Sequence, residues 1–107
     1  MKCEVAIVGS GLVGASLAAS LHGAGLRIAL LDAQAAEPVP QLGWDSRVYA
    51  ISPGSQQFLA ACGAWQRIPS NRIARVDAMQ VHGDSDDAEI RFSAYQAGLP
   101  ELCFIVE

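Results

Sequence analysis

Residues 9–14, Gly-Ser-Gly-Leu-Val-Gly, place three glycines in the spacing G-x-G-x-x-G, and Asp32 follows about 20 residues later. In such turns the first glycine (Gly9) allows a tight bend, and the second (Gly11) lets the backbone approach a pyrophosphate closely. The third, Gly14, allows a helix to pack against a strand. A carboxylate at the position of Asp32 accepts hydrogen bonds from ribose hydroxyls. These residue types and spacings predict a dinucleotide-binding site.

The other loop residues, Ser10, Leu12 and Val13, are predicted to contact the cofactor at the start of the helix, whose free N–H groups and positive dipole end face the phosphates. An acid at position 32 favours the adenosine ribose of FAD or NAD over that of NADP, for which an arginine would be expected. The alternative is a glycine-rich structural loop. We favour the binding site because the strand before the loop, the helix after it and the acid at the correct distance all agree.

The elements around the loop follow the order strand, glycine turn, helix, strand. An apolar, β-branched run, Val5–Val8, leads into the glycines, and a second apolar run, Ile28–Leu31, ends at Asp32. The pattern predicts an α/β fold with a Rossmann-like, FAD- or NAD(P)-binding βαβ unit over residues 3–32.

Residues 33–107 are predicted to form a loop, a helix and a short antiparallel hairpin. The loop, Ala33–Gly43, contains two prolines, and the helix begins at Pro53 with Ser52 as its N-cap and Gly63 as its stop. The predicted strands of this part are Val76–His82 and Glu89–Tyr95, which form the hairpin, and the final Leu102–Val106.

Composition excludes several classes of function. The net charge of −4 without a basic cluster argues against nucleic-acid binding. The three cysteines, Cys3, Cys62 and Cys103, are odd in number and set among apolar residues, so we expect buried free thiols in a reducing compartment and no metal site. The apolar start is not expected to be a signal peptide or a membrane helix, since Glu4 and the glycines interrupt it, and a cytoplasmic protein is predicted.

Five segments together are typical of one family. They are the opening VAIVGSGLVGASLA, the run Asp45-Ser46-Arg47-Val48-Tyr49-Ala50-Ile51-Ser52, the helix Gly54-Ser55…Leu59…Gly63-Ala64-Trp65, the strand Val76–Val81, and the closing Phe104-Ile105-Val106-Glu107. With these segments the chain resembles the N-terminal part of the FAD-dependent hydroxylases of ubiquinone biosynthesis, such as 2-octaprenyl-6-methoxyphenol hydroxylases. These are class A flavoprotein monooxygenases with a fold like that of p-hydroxybenzoate hydroxylase.

The resemblance implies FAD as the cofactor, NAD(P)H as the reductant and a polyprenylated phenol or quinol as the substrate. It also implies that Arg47 lies beside the flavin and its diphosphate; the alternative is a structural salt bridge with Asp45. A location at the inner face of the membrane and a complex of the ubiquinone pathway are compatible with such a substrate, and homo-oligomerisation is left open. No catalytic residue is assigned.

The chain also departs from this family. Its members are several times longer and carry a second FAD motif, Gly-Asp followed by a proline, which Gly83-Asp84 does not match. Residues 1–107 are therefore expected to be the N-terminal portion of an FAD-binding domain, apparently truncated, with activity in the full-length protein only. Other flavoproteins with two dinucleotide motifs, and a nucleotide-binding fragment without turnover, are the alternatives.

Overall fold

The computed structural model describes residues 2–35 and 43–107, so most of the predicted proline-containing loop, residues 36–42, lies outside the described residues. In chain order the strands and helices are β1 Val5–Val8, α1 Leu12–Ser20, β2 Ile28–Leu31, β3 Tyr49–Ile51, α2 Pro53–Ala61, β4 Ile73–Val76, β5 Ala78–His82, β6 Glu89–Ser93, α3 Ala94–Ala97 and β7 Cys103–Val106. They form two compact units, Met1–Gly43 with Phe58–Arg67, and Trp44–Gln57 with Ile68–Glu107. The mixed α/β class predicted from the sequence is confirmed.

The first unit contains β1, α1 and β2. The two strands are parallel and pair from Val5 with Ile28 to Val8 with Leu31, while α1 makes the connection between them. Ile7 on β1 and Ala29 on β2 are buried. The predicted order of strand, turn, helix and strand is therefore present.

The start of α1 is packed directly against the end of β1. A Cβ atom added to Gly14 would lie 1.9 Å from the carbonyl oxygen of Gly9 and 3.3 Å from Cγ2 of Ile7. Gly9 itself has a φ of 97°, in the region that glycine adopts without strain. The first and third glycines of the motif are thus required by the fold.

The second unit is built on β7, which pairs antiparallel with β3 on one side and β4 on the other. Its buried residues are Ile51, Ala94, Cys103 and Val106. The backbone N–H of Ser55 donates to Oγ of Ser52 at 3.2 Å, which confirms the predicted N-cap of α2.

The hairpin is present as β5 and β6, but each predicted strand was two residues too long at the end away from the turn: β5 begins at Ala78 and β6 ends at Ser93. Val76 belongs to β4 and pairs with Cys103 of β7; the chain changes partner at Asp77, whose carbonyl accepts the N–H of Ala94. Tyr95 lies in α3 because Oγ of Ser93 caps that helix. The alternation of apolar and polar residues, from which both strands were predicted, continues beyond these two changes in the course of the chain.

The expected burial of the cysteines is wrong for Cys3. This residue is exposed, because it precedes β1 and lies outside the sheet, whereas Cys62 is half-buried and Cys103 is buried. All three thiols are free. Among the described helices, none is long and apolar enough to cross a membrane.

We predict that Gly14→Ala destabilises the protein by about 3 kcal/mol, the upper end of the range for overpacked sites, because the added methyl group meets a backbone carbonyl. Urea unfolding followed by circular dichroism measures the free energy of unfolding. Gly11→Ala is the matched control: a Cβ there meets nothing within 4 Å, so a loss below about 1 kcal/mol is expected. Equal losses in the two variants would contradict the packing role of Gly14.

Candidate dinucleotide-binding site

The glycine turn lies where the carboxyl ends of β1 and β2 meet. The N–H of Gly9 donates to the carbonyl of Leu31 at 2.7 Å, which holds the turn beside the end of β2. Gly11 is the N-cap of α1, with φ −65° and ψ −173°, and no side chain caps this end among the described residues. The first N–H groups of an uncapped helix have no partner within the helix and carry its positive dipole end. The turn can therefore bind an anion.

Gly11 faces open space. A Cβ atom added there has no neighbour within 4 Å, in contrast to Gly14. Packing within the unit therefore does not explain a glycine at position 11. An absent side chain at this place leaves room for a ligand to approach the backbone, as the sequence predicts.

Asp32 is held against the turn by Ser10. Its Oδ2 accepts the backbone N–H of Ser10 at 2.6 Å and the hydroxyl of Ser10 at 2.5 Å, while Oδ1 accepts the N–H of Gln34 at 2.9 Å. The Ser10 hydroxyl and then the Gln34 amide lower the pKa of Asp32 from 3.8 to about 2. The residue is exposed and so presents an ionised acceptor beside the uncapped start of α1.

The structure thus brings the predicted loop residues and Asp32 together. Gly9 and Gly14 shape the turn, and Ser10, Leu12 and Val13 are exposed on it. The role of the Ser10 hydroxyl as a donor to Asp32 was not predicted. The two residues are 22 positions apart, and only the pairing of β1 with β2 places them in contact.

Arg47 lies in the second unit, in a short turn that is closed by the side chain of Asp45. Oδ1 of Asp45 accepts the N–H of Arg47 at 2.9 Å, and Oδ2 lies 3.4 Å from Nη2 of the guanidinium. These contacts lower the pKa of Asp45. The salt bridge considered as the alternative is present, but the Arg47 side chain is 82% exposed and a guanidinium has five donors. Donors therefore remain for a further acceptor.

Several proteins that are similar to the chain are named for ubiquinone biosynthesis. A mitochondrial ubiquinone biosynthesis monooxygenase of Xenopus tropicalis is 34% identical over 110 residues, covering 97% of this chain and 23% of the relative. The 3-demethoxyubiquinol 3-hydroxylase of Escherichia coli is 32% identical, covering 97% of this chain and 27% of the relative. A ubiquinone hydroxylase of Neisseria meningitidis is 32% identical, covering 80% of this chain and 19% of the relative.

The chain therefore spans about a quarter of the length of these relatives. Their names confirm the resemblance to ubiquinone-biosynthesis hydroxylases drawn from the sequence motifs. Residues 2–103 also match the family described as the FAD binding domain. With the glycine turn and Asp32 inside the matched region, the chain belongs to the FAD-binding domain family.

Proposed function

We propose that residues 1–107 are the N-terminal portion of an FAD-dependent, NAD(P)H-using monooxygenase that hydroxylates a polyprenylated phenol or quinol in ubiquinone biosynthesis. The observation that carries the proposal is the glycine turn between β1 and α1 with ionised Asp32 beside it. The names of the relatives support the substrate class.

The residues of the first unit fit the ADP half of FAD. The open side of Gly11 gives the pyrophosphate access to the backbone, and the uncapped start of α1 offers N–H donors to it. Asp32 accepts from the ribose hydroxyls at the end of β2. The parallel pair β1 and β2, connected through α1, is on this proposal part of a Rossmann-like sheet.

When bound, FAD supplies the redox chemistry of the hydroxylation. The residues of this chain bind and orient it. The roles that we propose are backbone N–H donation by Gly11, Leu12 and Val13, acceptance by Asp32 and donation by Arg47 to the diphosphate. We assign no proton transfer to a residue of the chain.

The proposed substrate also bears on location and partners. A polyprenyl tail is apolar and partitions into a bilayer, so we propose a cytoplasmic enzyme working at the inner face of the membrane. Association with other proteins of the pathway would then keep the apolar intermediate out of water. The net charge of −4 gives no support to a nucleic-acid partner.

Hydroxylation is tested directly with the full-length protein, FAD, NAD(P)H and a short-chain prenylated phenol. The expected result is substrate-dependent oxidation of NAD(P)H by dioxygen, with one oxygen atom added to the ring, detected by mass spectrometry, and the other released as water. NAD(P)H oxidation with no oxygenated product for any prenylated phenol or quinol would contradict the proposed activity.

We predict that Gly11→Val abolishes FAD binding without unfolding the full-length protein, because the side chain enters the space left for the pyrophosphate but meets no protein atom near its Cβ. Titration of FAD with fluorescence quenching measures binding, and circular dichroism checks the fold. Gly54→Val, at another glycine with open space around its Cβ, is the matched control and is expected to keep binding. A folded Gly11→Val protein with normal FAD affinity would exclude the phosphate-binding role of the turn.

Asp32→Ala is expected to weaken FAD binding about tenfold, since a charged hydrogen-bond acceptor is lost, and to leave the spectrum of bound flavin unchanged.

Because the pKa of Asp32 is lowered to about 2, its hydrogen bonds stabilise the fold above pH 3.8 and are lost as the pH falls through about 2. The contribution of Asp32 to FAD affinity is therefore constant between about pH 5 and pH 8.

Titrations at several pH values check this expectation, with Asp86→Ala as the control at an exposed acid of the hairpin turn. If affinity changed between pH 5 and pH 8 in the unaltered protein but not in Asp32→Ala, the ionised state assigned to Asp32 would be wrong.

A further inference from the structure

Glu107, which follows β7, contacts two other segments of the second unit. Its carboxylate accepts a hydrogen bond from Nη1 of Arg72 and another from the backbone N–H of Asp45. The guanidinium of Arg72 in turn lies over the ring of Trp44, 4.0 Å from the centroid. Glu107 and Arg72 together therefore fix residues 44 and 45 against the central strand of the sheet.

This ion pair differs from the other ion pairs of the unit in its burial. The side chains of Arg72 and Glu107 are 21% and 14% exposed, whereas those of Arg75 and Asp77 are 60% and 59% exposed. Exposed pairs contribute little to stability, because water competes for both charges. A shielded carboxylate that loses its donors is left with its desolvation cost unbalanced, so the Arg72–Glu107 pair is held firmly.

A chain of contacts leads from Glu107 to Arg47. Glu107 binds the backbone of Asp45, and the carboxylate of Asp45 accepts the N–H of Arg47 and faces its guanidinium. The exposed Arg47 side chain has little packing to fix it. These contacts connect the position of Arg47 to Asp45, and the position of Asp45 to Glu107.

We propose that Glu107 is a positioning residue for cofactor binding: it anchors Asp45, which presents Arg47 to the diphosphate of FAD. This rests on the proposed function, in which Arg47 binds that diphosphate. Arg72 and Trp44 support the anchor by holding the Glu107 carboxylate and the start of the segment.

The first test needs no cofactor and uses hydrogen–deuterium exchange of the peptide that covers residues 44–48 in the full-length protein. Glu107→Ala is expected to speed exchange in this peptide about tenfold, because the bond to the Asp45 amide is lost. Glu107→Gln keeps an acceptor oxygen and restores most of the protection. Asp77→Asn, which removes the charge of an exposed pair in the same unit, leaves exchange unchanged. Unchanged exchange in Glu107→Ala would overturn the anchoring role.

The second test is a double-mutant cycle on FAD affinity. Glu107→Ala and Arg47→Ala are each expected to weaken binding about tenfold, and the double variant no more than about twofold beyond Arg47→Ala alone, since both changes remove the same contact. If the two losses multiply, Glu107 does not act through Arg47 and the proposal fails. If Glu107→Ala does not fold, Glu107→Gln replaces it, with an expected loss of about threefold that disappears in the Arg47→Ala background.

The two tests separate this inference from the proposed function. Faster exchange in Glu107→Ala together with normal FAD affinity in Arg47→Ala would support the anchor and refute the role of Arg47 at the diphosphate. If residues 44–48 exchange as slowly in Glu107→Ala as in the unaltered protein, while Arg47→Ala weakens FAD binding, the anchoring role of Glu107 is refuted and the role of Arg47 at the diphosphate stands.

Discussion

The carbonyl oxygen of Gly9 occupies the space in which any other residue at position 14 would place its Cβ. This steric constraint sets where α1 begins relative to β1. The hydrogen bond from the Gly9 N–H to the Leu31 carbonyl holds the end of β2 beside the same turn. The uncapped first turn of α1 and Asp32 are close to each other because of it. A helix that began one residue later would direct its first N–H groups elsewhere, since each residue turns the helix by about 100°.

Ser10 stabilises the carboxylate of Asp32 beside a turn that is itself suited to anions. The turn is suited to an anion, yet Asp32 brings a negative charge close to it. Two donors from Ser10 to one oxygen of Asp32 stabilise that charge and fix its position. Because Asp32 is exposed, the high dielectric constant of water weakens its repulsion of an anion at the turn. The arrangement fits the proposed orientation of a dinucleotide, with its phosphates at the helix and its ribose at the acid.

The sequence predicted what depends on local spacing. The turn at residues 9–14, the strands on either side of α1 and the cap at Ser52 all follow from patterns of a few residues, and the structure contains them. The pattern failed at Val76 and Tyr95, where the chain changes its partner while the alternation of apolar residues continues. The contacts of Glu107 could not be predicted, since they join segments far apart in the chain through the pairing of β7 with its neighbours.

The geometry of the turn does not depend on a large core. Helix α1 has no buried residue, and Val13 on its first turn is 79% exposed. What holds the turn is the absence of a side chain at Gly14, the backbone bond from Gly9 and the contact between Ser10 and Asp32. These are short-range constraints, and they act whatever other surface covers α1. A turn fixed in this way needs little ordering when it binds a ligand, so less of the binding free energy is lost to conformational entropy.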